Sequence, residues 1–155
     1  MSKTGFAEEV KSLKQFFDKS TKVFGEKDSA FAPKKGVYTV AQHVAHIAQA
    51  IDWFIVGAFR KEGFEVDFQK MDREVRKVTS LKKARAWMNK ACTKAMKVLS
   101  SNSAAEMKKP ITGPLMTGEP RSAIMVAMTD HTAHHRGALT VYARLLDRVP
   151  PMPYM

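Results

Sequence analysis

The segment His131-Thr132-Ala133-His134-His135-Arg136-Gly137 carries three of the chain's five histidines, and two of these have the spacing that holds a metal ion on one helix face. His131 and His135 stand four residues apart. At 3.6 residues per turn one imidazole lies above the other, offset by about 40° around the axis and ~6 Å along it. Two imidazoles stacked in this way can converge on one transition-metal ion, the arrangement of helical His-x-x-x-His zinc sites. His134 is rotated about 100° from His135 and does not share that face. It suits a supporting or surface role.

A third ligand has to come from His43 or His46, the remaining histidines, both in the apolar run Val40-Ala41-Gln42-His43-Val44-Ala45-His46-Ile47-Ala48. Three-residue spacing leaves both near one helix face. His46 is favoured because it continues a stripe through Ala50, Trp53 and Gly57; His43 is left to line the same cavity or to support a ligand by a hydrogen bond. On the late segment, the face of His131 and His135 extends through Ile124, Met128, Leu139 and Tyr142. The pair therefore interrupts a core-directed stripe, where ring nitrogens need partners. Those partners are either a metal ion or a network of hydrogen bonds and solvent.

Helical periodicity runs through nearly the whole chain and supplies the elements that would position these rings. Phe6 to Phe24 has Phe6, Val10, Leu13, Phe16, Phe17, Val23 and Phe24 at three- and four-residue intervals. Gly25 to Tyr38 reads as a connection, and Thr39 as the N-cap of a second helix from Val40 to about Phe59, ended near Gly63. Glu65 to Thr79 is polar and reads as loop with a short helix. Ser80 caps a third long helix through Leu99, with Leu81, Ala84, Trp87, Met88, Ala91, Ala95, Val98 and Leu99 inward. Ser100 to Pro120, rich in proline and glycine, is a long connection that could wall a pocket. Pro120 opens a final helix to about Asp147, and Pro150, Pro151 and Pro153 end it in an extended tail. Residues 1–155 thus read as a single all-α domain, an up-down four-helix bundle, a fold that builds metal sites from facing side chains.

Composition narrows the function classes. At 155 residues, 45% hydrophobic and 26% charged, the chain has the make-up of one globular domain. Its apolar runs are too short to span a bilayer, so no membrane partner is expected. The amino terminus lacks the apolar core of a secretory signal. The single cysteine, Cys92, allows no intrachain disulfide, which fits a reducing cytoplasm, and it reads as a buried core residue. The net charge is +11, yet the basic residues are scattered among helix faces without interleaved aromatics. They read as solvated faces, and no specific nucleic-acid partner is expected.

Three stretches carry a family resemblance. Val44-Ala45-His46-Ile47-Ala48-Gln49-Ala50-Ile51-Asp52-Trp53-Phe54 resembles the early histidine segment of the DinB (damage-inducible) family, of the DinB/YfiT-like superfamily. Asp130-His131-Thr132-Ala133-His134-His135-Arg136-Gly137-Ala138-Leu139 resembles its second signature, a histidine followed four residues on by His-Arg-Gly. The ending, Tyr142 to Pro153, is also similar to many members. The resemblance implies a four-helix bundle with a short extra helix and a divalent metal ion, commonly zinc or nickel, on His46, His131 and His135. It thereby selects His46 over His43. Frequent homodimers are a further implication.

Three histidines leave a position open on the ion, the pattern of catalytic rather than structural sites. Relatives include transferases and isomerases that use low-molecular-weight thiols such as bacillithiol or mycothiol. The resemblance therefore implies metal-assisted thiol transfer, or a related metal-activated nucleophilic reaction, on a small electrophilic substrate. Non-catalytic metal binding in a stress-associated protein is the alternative, and a basic nucleic-acid-associated protein, from the net charge of +11, is the less favoured third reading. Arg136 and Tyr142 are candidates to orient a substrate, although Arg136 better suits helix packing or an ion pair.

Overall fold

Local capping sets where the helices begin. The computed structural model describes residues 3–154. Its four long helices are α1 (Lys3–Thr21), α2 (Val40–Phe59), α4 (Leu81–Ser101) and α6 (Ile124–Leu145); α3 (Phe68–Arg76) and α5 (Ala104–Lys108) are short. Thr39 and Gln42 form a reciprocal capping box at α2: the Thr39 hydroxyl accepts from the Gln42 amide, and the Gln42 side chain accepts from the Thr39 amide. Ser80 caps α4 by accepting from the Lys83 amide. The next free amides of α4 are met from a distance, Leu81 N donating to Ser29 Oγ at 2.9 Å and Lys82 N to Glu26 Oε2 at 2.7 Å. The connection between α1 and α2 therefore completes the start of α4.

The expected boundaries hold at α2 and α4 and shift elsewhere. α1 stops at Thr21, although Phe24 beyond it is still buried. The polar stretch after α2 contains α3, and the long connection contains α5, which periodicity did not show. α6 starts at Ile124 behind a 3-10 turn, Arg121–Ala123, that follows Pro120. It ends at Leu145, with Asp147 in the left-handed region (φ 57°) and Arg148 N donating to Ala143 O.

The helices form the expected all-α four-helix bundle, with a ring order that departs from chain order. α1 packs against α4 and α6, and α2 packs against the same two helices. The sequence around the ring is thus first, third, second, fourth. α2 is the most enclosed element, burying 14 of its 20 residues. Ile47, Ile51, Met88, Leu99, Met128 and Leu139 are among the side chains at the centre of the core. Among the described residues no helix is long and apolar enough to cross a membrane.

Gly63 and Gly113 fasten the end of α2 to the long connection. Both have positive φ, 73° and 92°. A Cβ on Gly63 would lie 2.1 Å from Thr112 O, and one on Gly113 would lie 2.4 Å from Glu62 O. The two backbones approach too closely for any side chain at either position.

Candidate metal centre

Packing α2 against α6 carries His46 to the pair on the last helix. One ring nitrogen from each of His46, His131 and His135 lies within 4.8 Å of the others. Ring centroids are 5.0 Å apart for His46 and His131, 4.6 Å for His46 and His135, and 4.5 Å for His131 and His135. Ile124, Met128, Leu139 and Tyr142 are all buried, so the α6 stripe turns its two half-buried histidines toward the bundle.

Burial keeps these rings neutral. His131 is pushed down to about 4 and His135 to about 3, first by burial and then by neighbouring imidazoles. His46 is lowered for the same reasons, burial first and His43 second. Neutral imidazoles offer lone pairs, which is the protonation state a metal requires. His131 Nδ1 is buried with no hydrogen-bond partner. Three converging nitrogen donors and an unpartnered ring nitrogen fit a divalent transition metal, and nitrogen donors accept zinc, nickel and copper alike.

His43 sits one step behind the cluster. Its Nε2 lies 2.8 Å from His135 Nδ1, a hydrogen bond that leaves Nε2 as the free ring nitrogen of His135. Such outer contacts orient a ligand ring and set its tautomer. His43 is itself pushed down to about 4, chiefly by burial. His134, by contrast, is exposed, its ring centroid 4.9 Å from that of His135.

Tyr38, Asp72 and Arg76 flank the site and had no signal in periodicity or spacing. The Tyr38 hydroxyl donates to Asp72 Oδ1 at 2.6 Å, and Arg76 Nε donates to Asp72 Oδ2 at 2.7 Å. The Tyr38 ring centroid is 5.3 Å from that of His46. Burial, with the Asp72 carboxylate second, pushes the Tyr38 hydroxyl up to about 12, while the Tyr38 hydrogen bond and Arg76 hold Asp72 below the usual carboxylate range. Tyr38 therefore stays protonated at neutral pH. Asp72 and Arg76 lie one turn apart on α3, whose polar sequence gave no reason to place it near the histidines.

A cavity of about 250 Å³ opens beside His46 and His131. Its walls come from α2 (Ala50, Trp53, Phe54) and α3 (Phe68, Met71), not from the Ser100–Pro120 connection expected to supply one. The other candidates lie elsewhere. Cys92 is fully buried on α4 and its thiol is pushed up to about 12 by burial. Arg136 meets aromatic rings, and among the described residues no ion-pair partner, lying 5.8 Å from the Phe16 centroid and donating to the Tyr154 hydroxyl at 3.0 Å. The Tyr142 hydroxyl donates to the Tyr38 carbonyl.

The sequence matches the DinB family over residues 8–155. The chain belongs to the DinB family. Among solved structures, YfiT from Bacillus subtilis superimposes with a TM-score of 0.72 at 14% identity, covering 94% of this chain and 88% of that one. YfiT is described as a probable metal-dependent hydrolase with an unusual four-helix bundle topology. A protein from Streptococcus pneumoniae superimposes with a TM-score of 0.70 at 14% identity, covering 93% and 91%. No curated protein matches the sequence. At such identities the likeness of this DinB chain to both structures is one of fold.

Proposed function

We propose that this DinB-family chain is a single-domain, divalent-metal-dependent enzyme that directs a nucleophile onto a small electrophilic substrate, with His46, His131 and His135 as the metal ligands. The observation that carries this reading is the convergence of three neutral imidazoles beside a cavity. A divalent ion held there supplies Lewis acidity and generates a nucleophile from water or a thiol near neutral pH. The leading nucleophile is a low-molecular-weight thiol of the cytoplasm, which would make the enzyme a thiol transferase. Water is the second, and the description of YfiT as a probable metal-dependent hydrolase favours it.

The chain's own groups have definable parts in this scheme. The three ligand rings stay deprotonated across the neutral range, and His43 holds the His135 ring in one orientation. Tyr38 keeps its proton on the Asp72 side and closes the flank of the site. Trp53, Phe54 and Phe68 give the space beside the histidines an apolar wall. The test is metal content together with turnover of a model electrophile by metal-loaded protein, with a panel of thiols and with water alone. Uptake of about one divalent ion, lost in His135→Ala, and turnover that depends on both ion and thiol are expected. Turnover without added thiol would make the enzyme a hydrolase. Metal uptake with no turnover would leave the non-catalytic reading, and unchanged metal affinity in His135→Ala would sink the site.

A further inference from the structure

The cavity beside His46 and His131 has a chemistry of its own. No lysine, arginine, aspartate or glutamate lines it, in a chain with 26 basic and 15 acidic residues. The polar donors of its walls, apart from the histidines, are already engaged. Trp53 Nε1 donates to Glu65 O at 2.8 Å, and Gln49 Nε2 donates to Met71 O at 3.1 Å and Glu74 Oε2 at 3.3 Å. What faces the space, apart from the Gln49 carboxamide whose donor is engaged, is indole, two phenyl rings, a thioether and the Ala50 methyl, with imidazole from His46 and His131.

Size and charge narrow the occupant. An apolar cavity of about 150 Å³ holds one benzene; this one, at about 250 Å³, takes a single ring with substituents. A charged group inside would lose its hydration without gaining a partner. An ammonium could gain from the aromatic faces, but it would then sit beside any divalent ion that His46, His131 and His135 would hold. An anion would be drawn to the ion and away from the aromatic walls. Offset and edge contacts with Trp53, Phe54 and Phe68, and the sulfur of Met71, favour a flat apolar ring.

We infer that this cavity is the substrate's side-group pocket and that it selects an electrophile bearing an uncharged, ring-sized apolar group. The word substrate and the exclusion of an ammonium rest on the metal-centred reading; the preference for an apolar ring rests on the lining alone. Ala50 sits one turn beyond His46 on α2 and lines the pocket. Phe68, 56% exposed on α3, covers its outer side and can be removed without opening the core.

The test is titration of the full-length protein, with and without bound metal, by 4-fluorotoluene and by (4-fluorophenyl)trimethylammonium. Fluorine resonances and Trp53 fluorescence report binding, and metal affinity is measured on the same samples. Saturable binding of 4-fluorotoluene with ring contacts to Trp53 and Phe68 is expected, at least about tenfold tighter than the ammonium. Ala50→Leu should abolish it, and Phe68→Ala should weaken it severalfold. Binding of the ammonium as tightly as the neutral ring would make the site an aromatic cage for cations and overturn the inference. So would absence of saturable 4-fluorotoluene binding, or wild-type binding in both variants. Protein that takes the ring but no divalent ion would sink the metal-centred function while upholding the pocket's preference; protein that takes the ion but not the ring would do the reverse.

Discussion

At the scale of residues, the division of labour among the histidines follows from where each ring points. His131 and His135 share a face because four residues make just over one turn, and His134, between them in sequence, is left in solvent. His43 and His46 lie on neighbouring parts of one helix face, yet only His46 joins the three-nitrogen cluster. His43 instead holds His135 by a 2.8 Å bond. Replacing a group that orients a ligand ring commonly lowers metal affinity by roughly 10- to 100-fold without removing the site. His43→Ala should therefore weaken divalent-ion binding by about that factor in a competition titration, whereas His135→Ala should abolish it. Equal affinity in His43→Ala and wild type would reduce His43 to a packing residue.

At the scale of elements, the site depends on how α2 is held at both ends. Its start is set by the Thr39 and Gln42 capping box, readable as the pattern Thr-x-x-Gln ahead of an apolar run. Its end is held by the contact between Gly63 and Gly113, two positions separated by the whole of α3, α4 and α5. A sequence shows two glycines in two loops; only the fold shows that they touch. Gly113→Ala would add a left-handed alanine and a Cβ 2.4 Å from Glu62 O, and should cost at least about 2 kcal/mol in urea unfolding. A loss under about 0.5 kcal/mol would mean that the connection shifts freely and does not brace α2. α3 is tied differently, by Tyr38 to Asp72 and by Gln49 to Met71 O, which places Phe68 and Met71 over the cavity.

At the scale of the molecule, the bundle is closed by a clasp between the segment just after its last helix and its first connection. Arg148 donates to both carboxylate oxygens of Asp28, at 2.5 and 2.9 Å, and to the Val23 carbonyl at 3.0 Å. Asp28 is 5% exposed, so losing Arg148 would leave a buried carboxylate without its counter-charge. The Arg148 hydrogen bonds hold the Asp28 carboxyl below its usual value. A carboxyl depressed in the folded state stabilises above its unfolded value, near 4, and loses that contribution as pH falls through the folded value. Arg148→Met should lower the thermal midpoint at pH 7 by roughly 5 °C. The gap between variant and wild type should narrow as pH falls below about 4; a gap that widens in acid would contradict the clasp.

The helices and the His-x-x-x-His pair were legible in the chain itself, because helical periodicity and capping are local and act within a few residues. The same locality explains what was hidden. The ring order of the bundle, the meeting of Gly63 with Gly113, the Tyr38 and Asp72 pair and the α3 wall of the cavity all join residues that sequence spacing does not relate. His46 shows the boundary most clearly. Its place on an apolar stripe was determined by the sequence, and family resemblance favoured it over His43. Only the packing of α2 on α6 decided which imidazole converges with both His131 and His135 and which meets His135 alone, because two rings three residues apart on one helix differ in direction by less than a turn and are separated by the helix they meet.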